Sequence, residues 1–510
     1  MYRKSKNQII IISTILFTIL FHRQNIGLNL LIFESFIITW FYFTKQFRLI
    51  GKNQITITVG LVITMLSTVF TFSMFAYIIN FLMLFLFIGL IIYSNAKSVI
   101  NIFKLSLSNI INSQIQFIKN LKESKFRNYK IVIFIWKSKI FIIPLFIIIL
   151  FLLLYSNSNP VFNDLIQEIG SFFNRYFSFI IEKIDTSIII TLLFGLIISV
   201  FIFIRIANNK IIERDKISSE NLYRIKNRVN KKNKPNSLKN EYKAALFLLL
   251  ILNIILFVVN VIDISWVWFN FEWNGLSLKQ FVHEGTYLLI LSIIISVIVV
   301  LYYFRNNLNF YSKNRFIKYF SYAWLAQNAI LAISVAIRNF WYIYYYSLAY
   351  KRIGVLIFLI LTLYGLFTVF IKVKNRKTNF YLLKTNSYFL VVILVLFSII
   401  NWDNVIAKYN FKNYKNSFIH FDYLSSLSDK SLPYLNKSLS ELKEIELIQR
   451  EKFFTEQQNY MSSEKYYQTI EARKIEFKQK WESKGILSWN FPEYIASRKL
   501  FYSDNTIHEN

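Results

Sequence analysis

Long apolar runs recur along this chain, separated by short polar stretches rich in lysine and arginine. Runs near 8–21, 27–43, 53–70, 74–93, 131–155, 187–206, 243–263, 284–304, 320–345, 352–373 and 385–401 predict about eleven hydrophobic helices. The first and last runs are short, which sets the range at nine to twelve. A bilayer needs runs of this length and a soluble core does not. They are uniformly apolar rather than alternating, which argues for helices over tilted barrel strands. The predicted fold class is all-α: a polytopic transmembrane helical bundle over 1–401, then a mostly helical extramembrane region over 402–510.

Two further stretches read as helices lying at the surface. Residues 98–120 mix Ile, Phe and Leu with Lys and Ser at helical spacing, as an anionic leaflet or an ordinary connector would require. Residues 163–183, with Phe172, Phe173 and Phe177, form a similar element. In the tail, Ile445, Leu447, Ile448, Phe453 and Phe454 predict one amphipathic helix, and Tyr466, Tyr467 and Ile470 a second.

Charge changes the picture. The net charge of +31 suggests nucleic acid until its distribution is read. Residues 1–401 carry 43 Lys and Arg against 13 acids, and residues 402–510 carry 16 against 15. The excess sits in short loops between apolar runs, notably 94–130 and 207–242, which is a topology signal and not a phosphate-tracking groove. No nucleic-acid partner is expected. The alternation places the N-terminus in the cytoplasm and, with an odd number of spans, residues 402–510 outside. Membrane lipids are the expected partners, and the 207–242 loop is a candidate contact for anionic lipid or a cytoplasmic protein.

Composition adds little more. Cysteine is absent, which excludes disulfides, thiolate nucleophiles and cysteine-ligated metals. The first run follows Arg3, Lys4 and Lys6 like a signal peptide, but no small-residue cleavage site follows, so it reads as a retained span. The wealth of Ile, Asn, Lys, Phe and Tyr fits an AT-biased bacterial genome and a bacterial cytoplasmic membrane.

Candidate chemistry lies where polar residues meet the spans. At 1.5 Å per residue, Glu34 falls roughly 10 Å below the outer edge. Arg338, Asp263, His283, Glu284, His22 and Arg23 fall near the same face, as do Asn80 and Asn260, with Gln327 and Asn328 deeper. Such a cluster suits an anionic headgroup or solute at His22, Arg23 and Arg338, with Glu34 or Glu284 as base or proton carrier. Structural readings stand beside it: hydrated interface residues, or a buried Glu34–Arg338 pair. Adjacent His283 and Glu284 do not share a helix face, and no His-Glu-x-x-His spacing exists, so neither metal nor cofactor is expected. Trp266, Trp268, Trp341 and Tyr342 read as anchors at headgroup level.

The stretches FHRQNIGLNLLIFE at 21–34, FVHEGTYLL at 281–289 and AWLAQNAILAISVAIRNFWYIYYYSLAYKRIGV at 323–355 resemble a bacterial membrane family. It is the family of the domain of unknown function 4153, which overlaps with 4173. The resemblance spans 15–375 and includes His22, Gln24, Glu34, His283, Glu284, Arg338, Asn339, Lys351 and Arg352. It implies a polytopic membrane location and no particular reaction. The residues leave three functions open. A transporter or permease of unknown substrate comes first. A sensory, regulatory or assembly protein stands beside it. Third is an enzyme on a lipid-linked substrate at the outer face, for which no nucleophile or paired-carboxylate motif exists.

Overall fold

In the computed structural model, residues 2–47, 51–122, 159–181, 185–224, 235–269, 278–305, 307–453 and 461–502 are described, with 144, 148, 151, 152, 155 and 156. Helices dominate them. α1 (Tyr2–Phe21), α2 (Leu28–Phe43), α3 (Lys52–Phe70), α4 (Met74–Ile92), α5 (Val99–Lys122), α6 (Pro160–Ile181), α7 (Thr186–Phe203) and α8 (Asn209–Ile217) come first. α9 (Pro235–Asp263) continues into a π turn (Ile264–Phe269) and is followed by α10 (Leu278–Tyr303), α11 (Arg315–Tyr346), α12 (Tyr350–Asn375) and α13 (Asn379–Ser398). The C-terminal region holds α14 (Trp402–Lys412), α15 (Phe421–Ser425), α16 (Leu432–Leu435), α17 (Leu439–Lys452), α18 (Ser463–Glu482) and α19 (Phe491–Phe501).

The protein is a multi-pass membrane protein, but the expected count of eleven spans is corrected. Seven described helices are long and apolar enough to cross a bilayer: α3, α4, α7, Leu238–Phe269, α11, α12 and α13. The apolar parts of α1 (Asn7–Phe21), α2 (Leu28–Phe43) and α10 (Tyr287–Tyr303) are shorter. At 1.5 Å per residue they reach roughly 23–26 Å, against a hydrocarbon core of about 30 Å. The expected span 131–155 falls almost wholly outside the described residues.

Two membrane bundles form around separate cores. The first packs α1 to α5 and α7 around Phe33, Ile37, Phe41, Leu61, Met83 and Phe87. The second packs α9 to α12 around Leu249, Ile293, Val300, Leu325, Val335 and Leu366. α13 joins them, packing on α12 and on α3, α4 and α5. A polar seam runs between α9 and α11. Asn253 Nδ2 donates to the Phe320 carbonyl at 3.1 Å, Gln327 Nε2 to Asn253 Oδ1 at 2.8 Å, and Asn260 Nδ2 to the Gln327 carbonyl at 3.1 Å. Such bonds hold helices together where lipid supplies no hydrophobic drive.

Helix ends follow from local sequence. Ser73, Asp185 and Thr378 cap α4, α7 and α13 with side-chain oxygens. With only 11 glycines in the chain, other residues take the left-handed turns. Arg23, Lys45, Phe72, Ser347 and Arg376 all have positive φ, and each follows the end of a helix.

α5 departs from the surface connector expected over 98–120. It packs along α4, α7 and α13 with Ser106, Asn109 and Ser113 fully buried. Asn109 Nδ2 donates to the Phe201 carbonyl at 2.9 Å and its Oδ1 accepts from Ile206 N–H at 2.8 Å, closing the end of α7. Leu107, Ile111 and Ile115 point outward. The protein-facing side carries this polar stripe beside Ile102 and Leu105, while further apolar residues face away, unlike a helix on a soluble core.

The C-terminal region builds a third core from Ile406, Leu424, Leu432, Leu442, Tyr466, Ile470 and Phe477. In α17 the expected apolar face is shifted. Leu447 is 63% exposed and Gln449 takes a buried place, accepting from Ile419 N–H at 2.9 Å. Its Nε2 donates to the Tyr414 and Ser417 carbonyls at 2.5 and 3.0 Å. This region caps one end of both bundles. Ser488 Oγ donates to Gln24 Oε1 at 2.8 Å, Leu28 N–H to the Trp489 carbonyl at 3.1 Å, and Ser347 Oγ to the Phe418 carbonyl at 2.8 Å. At Gly27 a Cβ would lie 2.7 Å from the Ser488 backbone, so only glycine allows the two chains this close.

Candidate functional site

The predicted outer cluster separates into pairs. Arg338 Nη2 sits 2.5 Å from Asp263 Oδ1 inside the second bundle, with both side chains under 10% exposed (8% and 7%). Asp263 is the last residue of α9 before the π turn, and Trp268 in that turn donates to Ser334 Oγ at 2.9 Å. Trp341 Nε1 donates to the Val267 carbonyl at 3.0 Å, so these two indoles tie the π turn to α11.

Glu34 lies in the other bundle and does not pair with Arg338. It is fully buried, and its Oε2 accepts from Asn80 Nδ2 on α4 at 2.8 Å. Thr64 Oγ1 of α3 lies 3.5 Å from the same amide. Glu34 Oε1 and Asn80 Oδ1 are buried with no hydrogen-bond partner among the described residues.

His22 and Arg23 share Asp185, at 3.2 and 3.0 Å. Asp185 was the missed member of this group, although Asp-Thr-Ser before an apolar run is a readable helix start. The side chains of His283 and Glu284 lie outside the described set. Among the described residues no three His, Cys, Asp or Glu side chains converge as a metal site.

Residues of the resembling stretch near 339–352 hold the α11–α12 turn. Arg352 Nη1 donates to the Tyr346 carbonyl at 2.6 Å and also to that of Ser347, and its guanidinium lies 4.1 Å from the Tyr342 ring centroid. Asn339 Nδ2 donates to the Arg352 carbonyl at 3.1 Å. The Arg352 bonds satisfy carbonyls at the end of α11 that a buried turn would otherwise leave bare.

At the cap end, Lys430 donates to the Thr71 and Phe72 carbonyls at 3.1 and 2.8 Å and pairs with Asp403 at 3.1 Å. Burial pushes the Lys430 ammonium below the ordinary lysine range, and Asp403 opposes that shift in part.

The opposite end carries the basic loops and a cavity of about 990 Å³ between the two bundles. Lys45, Lys52, Lys97 and Lys384 line it with Asn53 and Asn95, and no carboxylate does among the described residues. Its walls include Tyr364 and Tyr388. Tyr388 is nine residues into α13, roughly 14 Å along it, while Thr56 is four residues into α3, roughly 6 Å along it. Tyr388 bonds Thr56 across the seam at 2.7 Å. Lys384 is held by Glu220 at 2.6 Å, whereas Lys97 Nζ donates to the neutral carbonyls of Lys216 and Ser218 at 2.6 and 3.0 Å. The sequence signal for this site was only the alternation of basic loops. Which lysines meet was decided by packing.

The chain matches the family described as "Domain of unknown function (DUF4153)" over residues 35–438, and it belongs to that family. The match begins just after Glu34, so His22, Gln24 and Glu34 precede it, and it extends past 375 to take in Asp403 and Lys430. No curated protein and no solved structure matches the chain.

Proposed function

We propose that this member of the family is a permease that opens alternately toward its two ends. The observation that carries the reading is the polar cavity between two helical bundles, open at the basic end. The far end is sealed by the cap, through Lys430, Gln24–Ser488 and Ser347–Phe418. Two bundles joined by α13 are a mechanical basis for rocking, with the cap as the closed gate. By the positive-inside rule the basic end faces the cytoplasm of a bacterial inner membrane and residues 402–510 face outward. Glu34 with Asn80, fully buried beside Thr64, is the proposed coupling site for a proton.

The test uses the natural absence of cysteine. Tyr388→Cys and Thr385→Cys are introduced singly, and an impermeant thiol reagent is applied from either side of sealed vesicles. Labelling from the basic side, and from the cap side once Lys430→Met loosens the gate, is expected. Labelling from the basic side alone in both backgrounds would overturn the permease reading.

A sensory reading has one observation of its own. A pocket of about 280 Å³ opens at the seam between cap and bundle, lined by Arg23, Phe477, Lys480 and Trp481 among others. A cap ligand that shifts thiol labelling at Tyr388→Cys without crossing the membrane would favour it.

A further inference from the structure

We infer that the basic-end cavity binds a phosphate-bearing polar molecule, with Lys45, Lys52 and Lys97 as its cationic partners. The inference rests on the permease reading for its meaning as a substrate site, but the site stands as a binding site without it.

Among the described residues four lysines line the cavity and no carboxylate does. One positive charge, that of Lys384, is answered by Glu220. Lys97 is held by carbonyls that leave its charge in place. Among the described residues Lys45 and Lys52 make no side-chain hydrogen bond or ion pair. Among the described residues Lys45 and Lys52 therefore face this space without a counter-charge, and Lys97 shares Glu220 with Lys384 only at longer range. Lys52 is also the first residue of α3, which has no acid in its first turn. A cation there adds to the positive end of the helix dipole instead of opposing it, a local cost that a bound anion reverses.

Phosphate fits this field better than carboxylate. It carries about 1.5 to 2 negative charges with three acceptor oxygens, enough to engage several ammonium groups at once. The space also sets a lower bound on size. At about 990 Å³ the cavity is far larger than an inorganic phosphate needs. The remaining wall is polar and aromatic, with Asn53, Asn95 and Thr385 for hydroxyl groups and Tyr364 and Tyr388 as flat surfaces. A phosphorylated polyol meets these demands in full as a free monoester, and in part as a lipid headgroup, whose phosphodiester carries one negative charge and two free oxygens.

The full-length protein in zwitterionic-lipid nanodiscs provides the test. Thermal unfolding is followed with glycerol 3-phosphate, with glycerol plus acetate as the control, and with nanodiscs containing phosphatidylglycerol. Stabilisation by glycerol 3-phosphate identifies a free solute. Stabilisation by phosphatidylglycerol alone identifies a headgroup. In either case Lys45→Gln/Lys52→Gln should raise the apparent Kd at least about tenfold, since two charge-assisted contacts are lost. Binding should also weaken as salt rises. Both lysines are exposed, so the unliganded melting temperature of the double variant should match that of the parent. No stabilisation by either phosphorylated probe, equal stabilisation by acetate, or binding unchanged in the double variant would overturn the inference. One-sided labelling of Tyr388→Cys with intact phosphate binding would instead sink the permease reading and leave this site standing.

Discussion

Lys430 and Asp403 face each other at 3.1 Å with side chains 1% and 8% exposed, at the point where the cap meets both bundles. The lysine reaches the α3–α4 turn through the Thr71 and Phe72 carbonyls. The aspartate accepts from Tyr350, the first residue of α12, at 2.7 Å and from Ser428 at 2.5 Å. One buried pair thus links the first bundle, the second bundle and the C-terminal region. Removing one partner leaves the other charge buried, at a cost of about 3–5 kcal/mol. Lys430→Met should therefore undock the cap, read as faster proteolysis within residues 402–502 at unchanged membrane insertion. Lys430→Met/Asp403→Asn should be milder than the single change. A single variant with parental protease resistance would show that the pair does not hold the cap.

The Arg338–Asp263 pair invites the same test within one bundle. Arg338→Met should cost about 3–5 kcal/mol, since Asp263 would remain buried beside the π turn without its cation. Arg338→Met/Asp263→Leu, which removes both charges, should recover most of that loss in detergent unfolding. Failure to recover would assign Arg338 a role beyond the pair.

At Glu34 the shape of the substitution should matter more than polarity. Glu34→Gln keeps an acceptor for Asn80 Nδ2 and removes the buried charge. Its stability should stay within about 1 kcal/mol of the parent. Glu34→Ala strands the Asn80 amide and opens a cavity, costing about 2–4 kcal/mol. Equal damage from both variants would mean that the charge itself is required, and would count against a proton as the ion bound there.

Acid should loosen the basic end. The hydrogen bond from Lys384 holds the Glu220 carboxyl below the ordinary carboxylate range, with burial opposing and Lys384, Lys377 and Lys97 adding to the lowering. A depressed folded-state value stabilises the folded form above the ordinary range, and that contribution is lost as pH falls through the folded value. Both groups are more than a third exposed, so the effect is small and screened by salt. Hydrogen-exchange protection of Leu222 and Thr378, whose amides bond Arg376 and Glu220 carbonyls, should fall in low salt as pH drops below the ordinary carboxylate range. Glu220→Gln should remove that pH dependence. Protection flat with pH in the parent would exclude the Glu220–Lys384 pair as its cause.

Much of this architecture could be read from periodicity. Apolar runs or amphipathic spacing located the long described helices, and Ser73, Asp185 and Thr378 stood ready as caps. The count failed at α1, α2 and the Tyr287–Tyr303 part of α10, where an apolar run is helical but short for a bilayer. α5 failed differently. Its amphipathicity was legible, but the pattern alone cannot say which stripe faces protein. In water the apolar stripe turns inward; here Asn109 and Ser106 turn inward, which suits a surrounding of hydrocarbon.

The sequence by itself determined an all-α membrane protein with its positive charge gathered in loops, because helix formation and hydropathy depend on neighbours a few residues apart. Only the tertiary structure decided which polar groups meet. Depth along a helix put Glu34 and Arg338 at one level, yet they lie in different bundles, with Asn80 and Asp263 as partners. Lys430 finds the Thr71 carbonyl from 359 positions away, and Lys45, Lys97 and Lys384 meet around one cavity from three separate loops and helices. A buried charge must find a partner, and lateral packing, which no local pattern encodes, selects which one it is.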